Sequence, residues 1–124
     1  MEAARRVESA VALPPVTPGL VHGDLAGANL LWNPDGTLSG VLDWDLASAS
    51  DPAIDVACLA WFGWPTVRAI TSPSTYRRAR TWQAVFGLEQ VSAALLADRP
   101  EPAVDAAVTR AANWLRRTAA DPSD

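Results

Sequence analysis

His22, Gly23 and Asp24 follow one another in the segment "VHGDLAGANLLW", and Asn29 comes after the aspartate with four residues between. A carboxylate and a carboxamide at that separation suit phosphoryl-transfer chemistry. The carboxylate can orient an attacking hydroxyl while the amide oxygen, one loop turn away, reaches a magnesium ion held on nucleotide phosphates. A second carboxylate must complete such a metal site. Asp43 is placed for it, because the apolar run "SGVLDW" reads as a strand that would deliver an acidic side chain beside the loop. By average residue usage, a His-Gly-Asp triplet with asparagine five further on arises by chance in a chain of this length about a few times in ten thousand. The pattern therefore carries information.

Several elements must position these residues. Residues 2 to 12 are good helix formers and stop at Pro14 and Pro15, which cannot donate the helical hydrogen bond. The runs Leu20–Val21 and Leu30–Trp32 are short and apolar, and "NPDGT" at 33 to 37 is a strong turn signal between "NLLW" and "LSGVLDW". A β-hairpin of residues 29–32 and 38–42 follows. Asp51 as a cap and Pro52 at the first helical position start a helix, "PAIDVACLAWF", that stops before Pro65. Two more helical stretches are expected, about 74–97 with a bend at Gly87 and about 101–118. In the last, Val104, Ala107, Val108, Ala111 and Leu115 share a face, and Arg110, Arg116 and Arg117 lie toward the C-terminal end, where cations are favoured.

Composition bounds the rest. With 124 residues, 49% of them apolar, the chain can build one core, and it shows no internal repeat or evident linker. Cys58 is the only cysteine, so no internal disulfide can form, and its apolar context "DVACLAWF" predicts a buried thiol in a reducing compartment. No signal peptide opens the chain, and no uncharged apolar run approaches the ~18 residues of a membrane span. The expectation is a soluble, cytoplasmic protein with no membrane partner. A net charge of −4 and scattered basic residues argue against nucleic acid as a partner. All ten basic residues are arginines, and there is no lysine.

Taken together, "VHGDLAGANLLW" and "GVLDWDLASASDPAIDVA" resemble the aminoglycoside phosphotransferase and choline kinase-like family of small-molecule kinases, which share the C-lobe of the protein-kinase fold. The resemblance implies an α+β, mainly α, fold: the C-lobe portion of a protein-kinase-like structure, with a catalytic loop, one small β-hairpin and packed C-terminal helices. It implies a single partial domain over 1–124, with the loop and metal site in about 18–62 and a helical subdomain in about 63–120. Asp24 would then be the catalytic aspartate, Asn29 and Asp43 the magnesium ligands, and His22 a structural brace of the loop. The family's Asp-Pro-x-x-Asp-(Leu/Ile/Val)-Ala segment matches Asp51, Pro52, Asp55, Val56 and Ala57, which makes Asp55 a buried anchor for the loop. Magnesium and ATP or GTP are the implied cofactors. The implied reaction moves the γ-phosphate to a hydroxyl of a small molecule such as an aminoglycoside.

A kinase of this fold also uses an N-lobe with a nucleotide-covering loop and a strand lysine. About 20 residues precede His22, they read as helix and proline turn, and no lysine exists. The expectation is therefore a portion that works within a complete two-lobed enzyme. A second reading is a non-catalytic kinase-like module that forms a homodimer or receives a missing N-lobe partner on a face lined by Trp61, Trp64 and Trp82. A third takes the Asp-x-Asp of "GVLDWD" as a haloacid dehalogenase-like phosphatase motif, against which stand the hairpin and the missing lysine. Asp45 either reaches a second ion or points to solvent, and Asp51 reads as a helix cap. Glu89, Asp98, Glu101 and Asp105 either meet a polycationic acceptor or are solvated charges.

Overall fold

Asn33, Asp35 and Thr37 close the turn that the sequence marks. In the computed structural model, which describes residues 1–119, the Asn33 N–H donates to Thr37 O at 2.8 Å. Asp35 Oδ1 accepts from both the N–H and the hydroxyl of Thr37. Gly36 takes the left-handed φ of 84° that lets the chain reverse. Strands β2 (Leu30–Trp32) and β3 (Leu38–Val41) therefore pair antiparallel, with Leu30 opposite Val41. One further bond, Leu42 N–H to Asn29 O at 2.8 Å, extends the pairing beyond the strands.

A second pair was not foreseen. Strand β1 (Gly19–Val21) runs antiparallel to β4 (Ser48–Ser50), with Val21 opposite Ser48. The two strands join the chain entering the loop to the chain leaving the Asp43 segment. Helix α2 (Ala53–Cys58) follows and continues as a 3₁₀ turn, Leu59–Phe62, until Gly63 at φ 91° ends it. Next comes a short helix, α3 (Trp64–Ile70), that the sequence reading lacked. Pro65 lies in its first turn, where a missing N–H leaves no bond unmade, so this proline marks a start as well as a stop. Helix α4 (Pro73–Gln83) packs on α2, and Val21, Ala53, Ala57, Trp64, Val67, Tyr76 and Ala79 are buried.

Asp51 fastens α2 to α4. Its Oδ1 accepts the Ala53 N–H at 3.0 Å, and its Oδ2 accepts from Arg78 Nε, Arg78 Nη2 and Trp82 Nε1 at 3.0, 2.6 and 2.7 Å. Burial alone would raise the Asp51 pKa, but these donors and the Arg78 charge outweigh it and hold the carboxyl below its ordinary value. Arg78 Nη1 also donates to Pro14 O at 2.8 Å. All of these groups lie in one compact unit, residues 14–83.

The other unit comprises residues 1–13 and those from Ala84 on. It holds α1 (Glu2–Val11), α5 (Phe86–Leu96) and α6 (Glu101–Ala119), with Ala10, Val85, Ala107 and Ala111 buried. The helix expected over 74–97 is two helices, and the break falls at Ala84–Val85. Gly87 lies inside α5, and a Cβ there would stand 2.6 Å from Trp114. Its role is close approach, which a sequence reader cannot separate from a bend. Arg6 donates to Leu115 O at 3.0 Å and to the Thr118 hydroxyl, both in the last turns of α6, and to Ala84 O in the segment before α5. Among the described residues, no helix is long and apolar enough to cross a membrane.

Candidate active site

The loop between β1 and β2 begins with the least exposed polar side chain of its unit. His22 is 2% exposed. Its Nδ1 accepts the Asp24 N–H at 3.2 Å, which leaves Nε2 as the protonated nitrogen, and that nitrogen donates to Leu42 O at 2.8 Å. Trp44 meets the imidazole edge to face, with centroids 4.7 Å apart, and donates its own Nε1–H to Val41 O at 3.0 Å. One ring thus joins the Asp24 backbone to the residue before Asp43.

Asp55, in α2, reaches the loop from the other side. Its Oδ2 accepts the His22 N–H at 2.8 Å and its Oδ1 the Gly23 N–H at 2.9 Å, two charge-assisted bonds to successive amides. Gly23 sits at φ 86°, and a Cβ there would come within 3.2 Å of both the Cβ and the carbonyl oxygen of Leu46. A side chain would be strained by this backbone conformation and would crowd Leu46. Half-buried Cys58 lies beneath, with Sγ 3.9 Å from Gly23 O.

A 3₁₀ turn, Gly27–Asn29, ends the loop and brings Asn29 back to Asp24. Asn29 Nδ2 donates to the Asp24 carbonyl at 2.8 Å and to Asp24 Oδ2 at 3.1 Å. That orientation leaves the amide oxygen of Asn29 and Oδ1 of Asp24 as the acceptors with chemistry to do. The bond between Leu42 and Asn29 sets Asp43 at the same end of the hairpin as Asn29. Asp43 is exposed and takes φ 59°, a left-handed conformation that aspartate tolerates better than most residues. The bonds made by Leu42 and Trp44 on either side hold it there.

These donors fit magnesium. The ion accepts hard oxygens, takes one or two from the protein and completes its shell with phosphates and water, and Asn29 and Asp43 offer an amide oxygen and a carboxylate. Among the described residues, no three His, Cys, Asp or Glu side chains converge as a closed metal cage. Asp45 is exposed in the next turn, and Asp51 is bound to Arg78 and Trp82. Glu89, Asp98, Glu101 and Asp105 are exposed in the other unit.

Trp61 is a loop contact that the sequence reading missed. Its Nε1 donates to Leu25 O at 3.1 Å, and its ring lies 3.6–3.7 Å from where a Cβ on Gly27 would stand. Its only signal in the sequence is an aromatic at the end of an apolar helix. Of the other tryptophans named for an open face, Trp64 is buried and Trp82 half-buried.

A model of the phosphotransferase enzyme family matches residues 2–88. Viomycin phosphotransferase of Streptomyces vinaceus is 47% identical over 60 residues, covering 46% of this chain and 21% of that protein. Acyl-CoA dehydrogenase family member 10 of Mus musculus is 46% identical over 46 residues, covering 35% of this chain and 4% of that protein. The match thus spans about a fifth or less of the length of these relatives.

Proposed function

The chain belongs to the phosphotransferase enzyme family, and on that premise we propose that it carries the hydroxyl-orienting and metal-binding residues of a site that transfers the γ-phosphate of ATP or GTP to a small molecule. The observation that carries this reading is the pair of hydrogen bonds that Asn29 Nδ2 donates to Asp24, together with the backbone hydrogen bond from the Leu42 N–H to Asn29 O that puts Asp43 at the same hairpin end. The likeness to viomycin phosphotransferase supports a small-molecule acceptor.

Asp24 orients the acceptor hydroxyl. With Oδ2 held by Asn29, Oδ1 is the oxygen that accepts the hydroxyl hydrogen bond and takes its proton as the new oxygen–phosphorus bond forms. The bond from phosphorus to the departing nucleoside diphosphate breaks in the same step. Because the transition state is loose, positioning and charge matter more than the basicity of Asp24. Asn29 and Asp43 would hold magnesium, which supplies positive charge against the phosphates. His22 and Asp55 fix the loop and touch no reactant.

The test is calorimetric titration of the folded chain, checked by circular dichroism, with ATP and magnesium. Saturable binding is expected in the wild type and not in Asp43→Ala. With a hydroxyl acceptor from a panel, Asp24→Asn should lower phosphoryl transfer about 10²- to 10³-fold. Equal binding by Asp43→Ala, or no nucleotide binding by a folded chain, overturns the reading.

A further inference from the structure

A cavity of about 340 Å³ lies between α5 and α6, lined by Gly87 and Gln90 of one helix and by Arg110, Asn113, Trp114 and Arg117 of the other. The helical repeat puts these residues together. Asn113, Trp114 and Arg117 stand three, four and seven positions after Arg110, and Gln90 stands three after Gly87, so each set shares one helix face. All six belong to the unit that contains the residues from Ala84 on.

Hydrogen bonds decide which atoms these side chains offer. Arg110 Nε donates to Gln90 Oε1 at 2.8 Å, and Arg116, outside the lining, donates Nη2 to Asn113 Oδ1 at 2.5 Å. A guanidinium can only donate, so each amide oxygen is occupied by an arginine and each amide keeps its NH₂ for another partner. Arg117 lies with Cζ 5.7 Å from the centre of the Trp114 ring. The polar side chains of the lining are thus left with donors: both terminal nitrogens of Arg110, Gln90 Nε2, Asn113 Nδ2 and the Arg117 guanidinium. Among the described residues no carboxylate lines the cavity, and none pairs with Arg110 or Arg117.

The helix itself does not account for this charge. Its dipole favours Arg116 and Arg117 in the last turns. Arg110 is about two and a half turns from the end, and Ala106, Ala107, Asn113 and Trp114 occupy the positions where a stabilising carboxylate would sit. A set of donors with two formal positive charges and no anion is complementary to an oxyanion. Guanidinium forks match carboxylate and phosphate alike. The volume falls at the small end of the range for small-molecule sites, about 300–1,000 Å³, and leaves room for an organic body beside the charged group.

We propose that this cavity binds a small organic oxyanion, a carboxylate or a phosphate monoester, with Arg110, Asn113 and Arg117 as its donors and Trp114 beside its apolar part. The site is separate from the phosphotransfer reading, because Asp24, Asn29 and Asp43 all lie in the other unit.

The test uses the ¹⁵N-labelled full chain at constant ionic strength, with benzoate, phenyl phosphate and benzamide as probes, benzamide having the shape of benzoate without its charge. The indole N–H signal of Trp114, assigned through the backbone, is followed in each titration. Saturable movement by at least one anion is expected, with benzamide binding about tenfold or more weakly, and the tighter anion identifies the headgroup. Replacing both exposed arginines, Arg110→Gln with Arg117→Gln, should bring the affinity for the anion down to that for benzamide while the thermal midpoint stays near that of the wild type. If that variant does not fold, the comparison of anion with amide in the wild type decides alone. Equal affinity for benzamide and the anions, no movement of the Trp114 signal by either anion, or undiminished anion binding by the folded variant overturns the proposal.

Discussion

Asp55 places both carboxylate oxygens on backbone amides of the loop, and one of those amides belongs to a residue that is almost wholly buried. Removing it leaves two donors without their acceptor, at about 1–3 kcal/mol for each one that water cannot reach. Asp55→Ala should therefore lower stability by about 3 kcal/mol in urea unfolding, with faster hydrogen exchange at the His22 and Gly23 amides. Asp55→Asn keeps one acceptor but turns an NH₂ toward an N–H, so it should fall between. Unchanged exchange in Asp55→Ala would show that the loop is held by His22 and Trp61 alone. At this scale the sequence was legible where spacing is local. Asp24 and Asn29 lie within one short loop, and Asp43 follows across a marked turn. The place of Asp55 came from family resemblance, because no periodicity ties a helix position to amides more than thirty residues earlier. Trp61 had no such precedent, and its bond to Leu25 was invisible.

Elements were legible in proportion to how much of their reason is local. The hairpin follows from "NPDGT", whereas β4 is Ser-Ala-Ser, a segment without alternation that becomes a strand only because β1 lies beside it. Helix α3 was hidden by reading Pro65 only as a stop. Gly87 is the sharpest case, since its reason lies in another helix. Alanine is intrinsically better than glycine in a helix by about 1 kcal/mol. Here its methyl would meet Cβ and Cγ of Trp114 at 2.6 Å, and these atoms sit at the root of the side chain and cannot swing away without moving α6. Overpacking of this kind costs about 1–3 kcal/mol and should exceed the gain in propensity. Gly87→Ala is expected to lower the thermal midpoint, by a net loss of about 1 kcal/mol. A raised midpoint would mean that the spacing of α5 and α6 yields.

For the molecule as a whole, fourteen carboxylates face ten arginines, and the carboxyls whose pKa is shifted downward set the response to acid. Glu2 is lowered chiefly by its hydrogen bond from Arg6, and Asp35 by that from Thr37, but both are solvent-exposed and their contribution is small. Asp51 is different. Its carboxyl is largely covered, and despite the opposing effect of burial it is held low by Arg78, Trp82 and the Ala53 amide. A folded-state pKa below the unfolded value of about 3.9 gives stability that is complete above that value and is lost as pH falls through the folded one. Asp51→Asn removes the charge but keeps the shape, leaving the Arg78 guanidinium without its counter-ion. The variant should be less stable than wild type by about 2–3 kcal/mol at pH 7. That gap should begin to narrow as pH drops below about 4, where the unfolded chain takes up the proton, and close as pH falls on through the lower folded-state value, where the wild-type carboxyl is itself neutralised. Urea unfolding of both proteins by tryptophan fluorescence across this range measures the difference directly, because the other acidic groups are common to both and cancel. A gap that stays constant into acid would mean that Asp51 acts through its hydrogen-bond geometry rather than its charge.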